Sequence, residues 1–480
     1  MEHDEAVAEL ELLAELGPRF PGSASHDRLV DHVAAHWADL GLTVREDVLR
    51  FDRWDLPSTP GGLTLTVGGR PVEISSVFPY SGTTGAEGVR GPLGLLERST
   101  APDGVAVVEL RNRPVPFDAL VRSWGQGAPW GTVTHPVLAA TLSAERGLAK
   151  AKRAGARAVV FAWRGISAAN ARGQQVPFTL PYQDIPAVLV AGEAADTVLA
   201  RAERGDPAEL VLDAALTPDS AMRTVWTVVE GAERPDETVL VITHSDGTNV
   251  VEENGHLALV ELARDVVARR PERSVVFVFT AGHLRIPAVI DGHGQATTRW
   301  LDDHRDWWAG GDGQRRAVAG LVAEHLGAVE YADDPATGGY GPTGRAEPEL
   351  LYATTRELKA VASVEWRGAE SGPPLVCAPT PVIQFGEGQP LTLARIPNIS
   401  LVTAPQYLLS DHPGDYVDVP LLLRQVDSFR RLLRRLDTLP ADKVGTVPAH
   451  TRIRKIAATA RLTAALAATA LRERRTRRSG

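Results

Sequence analysis

Residues 237–247 read ETVLVITHSDG, and residues 273–283 read RSVVFVFTAGH. Each stretch is an apolar run of strand length with a histidine at or just beyond its end. Such runs are typical of strands buried on both faces of a mostly parallel sheet. Between them, residues 255–269 place apolar side chains at helical spacing, which predicts a helix. Strand, helix and strand together predict an α/β fold with a mostly parallel open sheet and helices on both faces.

Polar side chains of the kind that bind metals follow these two predicted strands. His244 and Asp246 come at the end of the first strand, and His283 comes after the second. An imidazole suits zinc, and a carboxylate two residues further on can orient that ring. Ligands of open α/β sheets bind beyond the carboxyl ends of the strands. We therefore expect a metal or catalytic site at this edge of the sheet.

Two acids, Glu252 and Glu253, precede Asn254-Gly255 at the start of the predicted helix. A carboxylate at this point could bridge two metal ions while the chain turns on Asn-Gly. The plainer interpretation is a pair of acids favoured by the positive end of the helix dipole.

Two further candidates lie later in the chain. Glu324 follows the apolar stretch 317–322, and the Glu-His pair that it forms with His325 is unusual at a buried strand end without a partner. His412 lies in a loop bounded by proline and glycine, after the apolar strand 399–402, where a metal ligand is plausible.

The amino-acid composition limits the classes of protein to which the chain can belong. The 480 residues are 44% hydrophobic and 23% charged, which is ordinary for a globular chain of two or three domains. A net charge of -9 implies no general affinity for nucleic acid. The single cysteine, Cys377, excludes a disulfide framework and cysteine-rich zinc sites. No signal peptide or membrane span is visible, so we expect a cytoplasmic protein. The sequence predicts no oligomeric state.

The chain divides into three predicted regions. Residues 1–75 and 217–440 form a discontinuous α/β domain, and residues 76–216 form a β-rich insert. Residues 441–480 form a basic helical tail, either solvated or docked on an acidic surface or an anionic membrane. The insert resembles a protease-associated domain in its Ala154–Val160 core and its Ile185–Val190 strand; an unrelated β-rich insertion is the alternative.

Taken together, these motifs resemble the co-catalytic zinc aminopeptidase and glutamate-carboxypeptidase-like family, peptidase family M-28. The resemblance includes the opening stretch 16–23 (LGPRFPGS), the protease-associated-like insert, the His-x-Asp at 244–246 and the order of the later elements. It implies a zinc site, of two ions in that family. His244 would be the first ligand, Asp246 its orienting acid and His412 the last ligand.

The chain departs from the family at its acids. Glu253 and Glu324 stand where the resemblance implies aspartates, and the family's Glu-Glu pair is replaced by His283-Leu284. His283 could bind metal or act as a base. One reading is a rearranged site in which metal is held by three histidines and two glutamates: His244, Glu253, His283, Glu324 and His412. The other is a scaffold that has lost hydrolysis.

We therefore expect a divergent metal-dependent hydrolase that cleaves a peptide or other small amide by metal-activated water. The base would be His283 or Glu252, which the sequence leaves open. The alternative is a catalytically silent binding or scaffold protein on the same fold.

Overall fold

The computed structural model describes residues 1–56, 61–96, 104–125, 132–177, 182–284, 296–334, 336–370 and 375–479. Its helices are α1 (His3–Leu16), α2 (Ala24–Asp39), α3 (Phe117–Leu120), α4 (Pro136–Arg153), α5 (Ala168–Ala171), α6 (Gly192–Ala202), α7 (His256–Arg269), α8 (Ala296–Asp303), α9 (Arg356–Glu365), α10 (Gly388–Leu393), α11 (Val419–Thr438) and α12 (Arg452–Ser479). Short 3-10 turns cover Arg305–Trp307 and Ala441–Lys443.

The strands are β1 (Arg45–Asp55), β2 (Leu63–Val67), β3 (Arg70–Val72), β4 (Ser76–Val77), β5 (Val89–Leu95), β6 (Val105–Arg111), β7 (Val115–Pro116), β8 (Arg122–Ser123), β9 (Thr132–Val133), β10 (Ala158–Arg164), β11 (Ala187–Ala191), β12 (Pro207–Leu212), β13 (Ala215–Val229), β14 (Arg234–His244), β15 (Arg273–Thr280), β16 (Arg316–Ala323), β17 (Val329–Asp333), β18 (Tyr340–Ala346), β19 (Leu350–Ala353), β20 (Leu375–Ala378) and β21 (Asn398–Val402).

The main sheet has nine strands in the order β1-β13-β15-β14-β16-β21-β19-β20-β8. Its centre, β15-β14-β16-β21, is parallel, whereas β1, β13 and β8 pair antiparallel at the edges and β19 pairs antiparallel with β21. The prediction of an open α/β sheet is confirmed, and the sheet is mixed rather than mostly parallel throughout.

Helices cover both faces of this sheet, as the apolar runs predict. Val241 and Phe277 point to one face and pack with residues of α1, α2, α7, α9 and α11. Ile242 and Val278, one position along each strand, point to the other face and pack against Trp300 of α8 and Leu391 of α10. Alternate side chains of one strand thus enter two cores, which is why β14 and β15 lack the polar alternation of a half-exposed strand.

A second sheet of eight strands forms a separate β-rich unit, in the order β3-β2-β12-β5-β6-β10-β11-β4. It has a core of its own, which includes Leu65, Val160 and Leu210. β2 and β3 belong to this sheet, so the unit begins before residue 76, which is the first residue of the predicted insert. That the unit is a protease-associated domain stays a prediction.

The basic tail is helical, and it lies against the protein. Leu462 and Leu466 of α12 pack on an apolar cluster that includes Phe117 of α3 and Val115 of β7. None of the helices described is long and apolar enough to cross a membrane.

Candidate metal centre

The candidate site lies at the carboxyl ends of the three neighbouring parallel strands β15, β14 and β16. His244 is the last residue of β14 and stands opposite Thr280 of β15. His283 follows β15 by three residues, and Glu324 directly follows β16. The sheet order therefore brings these predicted residues to one edge, as expected for an open α/β fold.

His244, Glu324 and His325 form the best-defined ligand group. All three are buried, and one ligand atom from each lies within 4.8 Å of the others. The Oε2 of Glu324 is 3.9 Å from Nε2 of His244 and 4.0 Å from Nε2 of His325. Ligands around a tetrahedral zinc ion are separated by about 3.3 Å. A small contraction of this group would therefore suit such an ion.

In each side chain of this group, the second polar atom contacts a backbone group of the protein. Nδ1 of His244 contacts the Asp246 carbonyl at 2.9 Å, and Nδ1 of His325 contacts the Thr403 carbonyl at 2.7 Å. Oε1 of Glu324 accepts a hydrogen bond from the Glu387 amide at 2.6 Å. The three inward atoms are buried and make no hydrogen bond among the residues described. In metal sites, the atom of a side chain that does not bind the ion is typically hydrogen-bonded to the protein, which leaves the ligand atom available for the ion.

The backbone at His325 supports this assignment. Its φ is +57°, in the left-handed region that a bulky residue seldom occupies. This conformation sets the imidazole beside Glu324, although consecutive residues of a strand point to opposite faces. Such local backbone strain is concentrated at functional sites.

Glu252 and His283 form a second group with His244. Nε2 of His283 lies 3.8 Å from Oε1 of Glu252, and the rings of His283 and His244 stack with centroids 4.3 Å apart. Both carboxylate oxygens of Glu252 are buried without a hydrogen bond from any residue described. Burial raises the pKa of Glu252 well above its usual range, despite the opposing charge of His283.

His283 is held by an acid that lies far from it in the sequence. Its Nδ1 is 2.6 Å from Oε1 of Glu387, whose Oε2 accepts from the amide of Thr297 at 3.0 Å. Burial alone would lower the pKa of His283, but the hydrogen bond and charge of Glu387 raise it to about 10. This pair therefore keeps a positive charge beside His244.

The predicted ligand Glu253 has a different partner. Its carboxylate forms a fully buried ion pair with Arg19, and only its Oε2 lacks a hydrogen bond among the residues described. Burial raises the pKa of Glu253 to about 7, against the lowering effect of Arg19. The structure does not bring Glu253 into either ligand group.

The carboxylate of Asp246 does not orient His244, contrary to the role that the resemblance implies. Its Oδ1 accepts from the amides of Gly282 at 2.8 Å and His283 at 3.1 Å, and its Oδ2 accepts from Leu284 at 2.5 Å. The carbonyl of Asp246 contacts His244 instead. Asp246 is therefore a residue that positions the loop after β15.

His412 is not brought to this site. It is exposed in the loop before α11 and lines a separate cavity of about 360 Å³ together with Tyr331 and Tyr340. Neither ligand group of the described residues that contains His244 includes it. The structure therefore does not bring His412 to His244, and it places His325 beside His244 and Glu324 instead.

The charge of the site also suits a cation. Glu252, Glu324 and Asp246 are buried close together, and burial raises the pKa of each, that of Glu324 to about 8. Carboxylates removed from water are costly unless they are protonated or paired with a positive charge. A metal ion would satisfy Glu324 and the two imidazoles together, so the residues present fit one divalent ion.

Three residues near the site, His325, Glu387 and Arg19, are not among the site residues predicted from the sequence. His325 had a visible signal, since it forms the unusual Glu-His pair at a buried strand end. Glu387 lies between two glycines without a periodic pattern, and Arg19 lies in an N-terminal turn. Nothing in the spacing of these two residues points to partners more than 100 residues away.

Comparisons with known proteins agree with the fold. No protein-family model matches the chain, and no curated protein matches it. Among solved structures, a zinc aminopeptidase from Bacillus subtilis aligns over 92% of this chain and 97% of its own, at 13% identity and a TM-score of 0.59. An aminopeptidase from Aneurinibacillus covers 94% and 96%, at 13% identity and a TM-score of 0.59.

A third structure, a Peptidase M-28 precursor from Shewanella amazonensis, aligns over 94% of this chain and 95% of its own, at 16% identity and a TM-score of 0.62. At these identities the likeness shows the fold alone. The resemblance is confirmed at that level: the chain has the α/β fold of these peptidases.

Proposed function

We propose that this chain is a metal-dependent hydrolase that cleaves a peptide or another amide bond, with His244, Glu324 and His325 as its metal ligands. The observation that carries the proposal is a set of three buried ligand atoms that face one another and have no hydrogen bond among the residues described, while the second polar atom of each side chain contacts a backbone group. Two imidazoles and one carboxylate are a ligand set that zinc hydrolases use, with a fourth position left for water. The set as it stands supports one ion rather than two.

A zinc ion bound there would supply a Lewis acid that lowers the pKa of water toward neutrality. Glu252 is the base in this proposal, because its carboxylate is buried beside His244 and His283 and neither oxygen has a hydrogen bond among the residues described. A cation bound next to it would favour its ionised form against the burial that raises its pKa. His283 keeps its proton through Glu387, so it places positive charge where negative charge develops on a carbonyl oxygen. Asp246 holds the His283 amide and so fixes that ring.

A peptide substrate is proposed because zinc aminopeptidases share the fold. The sequence motifs predict the same class of substrate, a peptide or another small amide. We expect the reacting group to approach from the side of His283, because 12% of its side chain is accessible while the other members of the two ligand groups are buried.

The first experiment measures metal. Purified protein is dialysed against zinc, and its metal content is compared with that of His244→Ala, His325→Ala and His412→Ala. We expect the first two variants to lose one ion per chain and the His412 variant, which is the control, to keep it. A chain that binds no transition metal, or that keeps its metal in both site variants, would contradict the proposal.

The second experiment measures turnover. Aminoacyl and peptidyl substrates are screened with added zinc, manganese or cobalt. Glu252→Gln should keep the metal and lose about 10²–10⁴-fold in kcat, the usual contribution of a general base. If Glu252→Gln turns over at the wild-type rate, the base is another group.

A second candidate function is a catalytically silent binding protein on the same fold. It is favoured by Arg19, which neutralises the acid at the position that the resemblance assigns to a bridging ligand. Metal-dependent turnover that His244→Ala abolishes would eliminate this candidate. A metal-loaded chain that turns over none of the substrates would support it.

A further inference from the structure

We propose that the protein has a second metal site, separate from the candidate metal centre, in which Glu9 of α1 and His32 and His36 of α2 bind Zn²⁺ or a similar transition-metal cation. Nothing in the fold or in the motifs assigns a role to these three residues. They are one of the residue groups whose ligand atoms lie within 4.8 Å of one another.

The distances between the ligand atoms suit a tetrahedral ion. Nε2 of His32 lies 3.1 Å from Oε1 of Glu9 and 3.2 Å from Nε2 of His36. Nε2 of His36 lies 3.4 Å from Oε1 of Glu9. Around an ion with zinc–ligand distances of about 2.0–2.1 Å, ligands are about 3.3 Å apart. These three edges therefore match that geometry with little movement.

The helices place the two imidazoles for this purpose. Residues four apart lie on one face of a helix, so His32 and His36 face the neighbouring helix α1 together. Their rings are 4.5 Å apart at an angle of 88°, and both Nε2 atoms point toward Glu9. A hydrogen bond between the two nitrogens engages only one lone pair, whereas a zinc ion uses both.

A fourth residue, His256 at the start of α7, lies next to the carboxylate. Its Nε2 is 3.5 Å from Oε2 of Glu9, and this nitrogen is buried without a hydrogen bond among the residues described. Its Nδ1 contacts the Glu253 carbonyl at 3.1 Å. Glu9 therefore lies among imidazoles from both α2 and α7.

The site is open to solvent where the metal would need it. The side chains of His32 and His36 are 30% and 26% exposed, and that of Glu9 is 15% exposed. Three protein ligands at a half-exposed position leave the fourth to water. A bound ion would tie α1 to α2, and its ligand Glu9 lies beside His256 at the start of α7.

The test compares zinc bound by the intact protein with zinc bound by the double variant His32→Gln/His36→Gln. His3→Gln is the matched control, because His3 is an exposed histidine on α1 whose only side-chain contact in the structure as described is with Asp4. Each protein is stripped with a chelator, dialysed against Zn²⁺ and analysed for metal, and circular dichroism checks that each is folded.

We expect the double variant to hold one zinc ion fewer per chain than the intact protein, and the control to hold the same number. Zinc should also raise the melting temperature of His244→Ala/His325→Ala, and adding the His32 and His36 substitutions should abolish that rise. Equal zinc in the intact protein and the double variant would overturn the second site. Because the count is a difference, it stands whether or not the candidate metal centre binds an ion.

Discussion

Replacing Arg19 by methionine should destabilise the protein far more than the loss of an ordinary arginine. The guanidinium is fully buried and donates to the carbonyls of Leu13 at 2.7 Å and Asn249 at 2.6 Å, in addition to its ion pair with Glu253. Methionine fills similar space but leaves a buried carboxylate without its cation. Removal of one partner from a buried ion pair costs about 3–5 kcal/mol.

Two further variants separate the ion pair from other effects. Arg28→Met removes an exposed pair with Glu15, in which the charged atoms are 3.7 Å apart, and should cost less than about 1 kcal/mol. Arg19→Met/Glu253→Met removes both buried charges, and replacement of a whole buried pair by apolar side chains is often nearly neutral. The double variant should therefore recover much of the stability that the single variant loses.

The assay is urea unfolding of metal-free protein at pH 7, followed by tryptophan fluorescence, with transition midpoints compared at equal slope. If Arg19→Met unfolds at the same urea concentration as Arg28→Met, the buried pair does not stabilise the fold. A double variant that is less stable than Arg19→Met would show that the lost hydrogen bonds, and not the unpaired carboxylate, decide the result.

Two other predictions concern pH and the tail. Burial, aided by the charges of Arg223 and Arg19, lowers the pKa of His26 to about 3. The contribution of the neutral His26 ring to the free energy of unfolding is therefore fully present above pH 6.5, and it is lost as the pH falls from 6.5 toward 3. The full effect is about 5 kcal/mol, since each pKa unit corresponds to about 1.4 kcal/mol. His26→Gln should flatten the fall in melting temperature between pH 7 and 4.5, and an unchanged slope would contradict this. Leu462→Asp/Leu466→Asp should release α12 from its apolar cluster and so speed tryptic cleavage within residues 452–479, which mass spectrometry can follow. Leu471→Asp, at an exposed leucine of the same helix, is the control and should leave the cleavage rate unchanged. Equal cleavage of both variants would mean that the helix is not docked.

The strands that build the site were predictable because burial on both faces leaves a strong signal. The runs at 237–247 and 273–283 have few polar side chains until they reach the sheet edge, so the positions of His244 and His283 followed from the runs themselves. Glu324 was found in the same way, from the apolar stretch before it.

The place of His325 in the candidate site was harder to predict: the Glu-His pair made it unusual, but its direction depends on a single backbone conformation. The left-handed φ of His325 turns its ring toward Glu324, and the sequence carries no sign of that φ. His412 satisfied the expected order along the chain, but the loop after β21 carries it to the cavity near Tyr331 instead.

Long-range pairing between charged residues was equally hidden. Glu387 contacts His283, and Arg19 contacts Glu253, across more than 100 residues in each case. The sequence marks each of these groups as polar, but only packing decides which acid faces which cation. For the same reason, the sequence did not predict that Asp246 would accept from the loop after β15 or that Glu253 would pair with Arg19.

The pairing of β1 with β13 has a consequence for how the protein is made. The chain between these two strands contains the whole second sheet, from β2 to β12, so β1 is synthesised well before its partner. Glu253, the partner of Arg19, is synthesised later still. Because the β2–β12 segment has its own core, we expect it to fold during synthesis while the N-terminal helices remain unassembled. Completion of the main sheet, and of the candidate metal centre at its edge, is then a late event, in which β1 and the N-terminal helices pack against strands that are synthesised after the second sheet has folded.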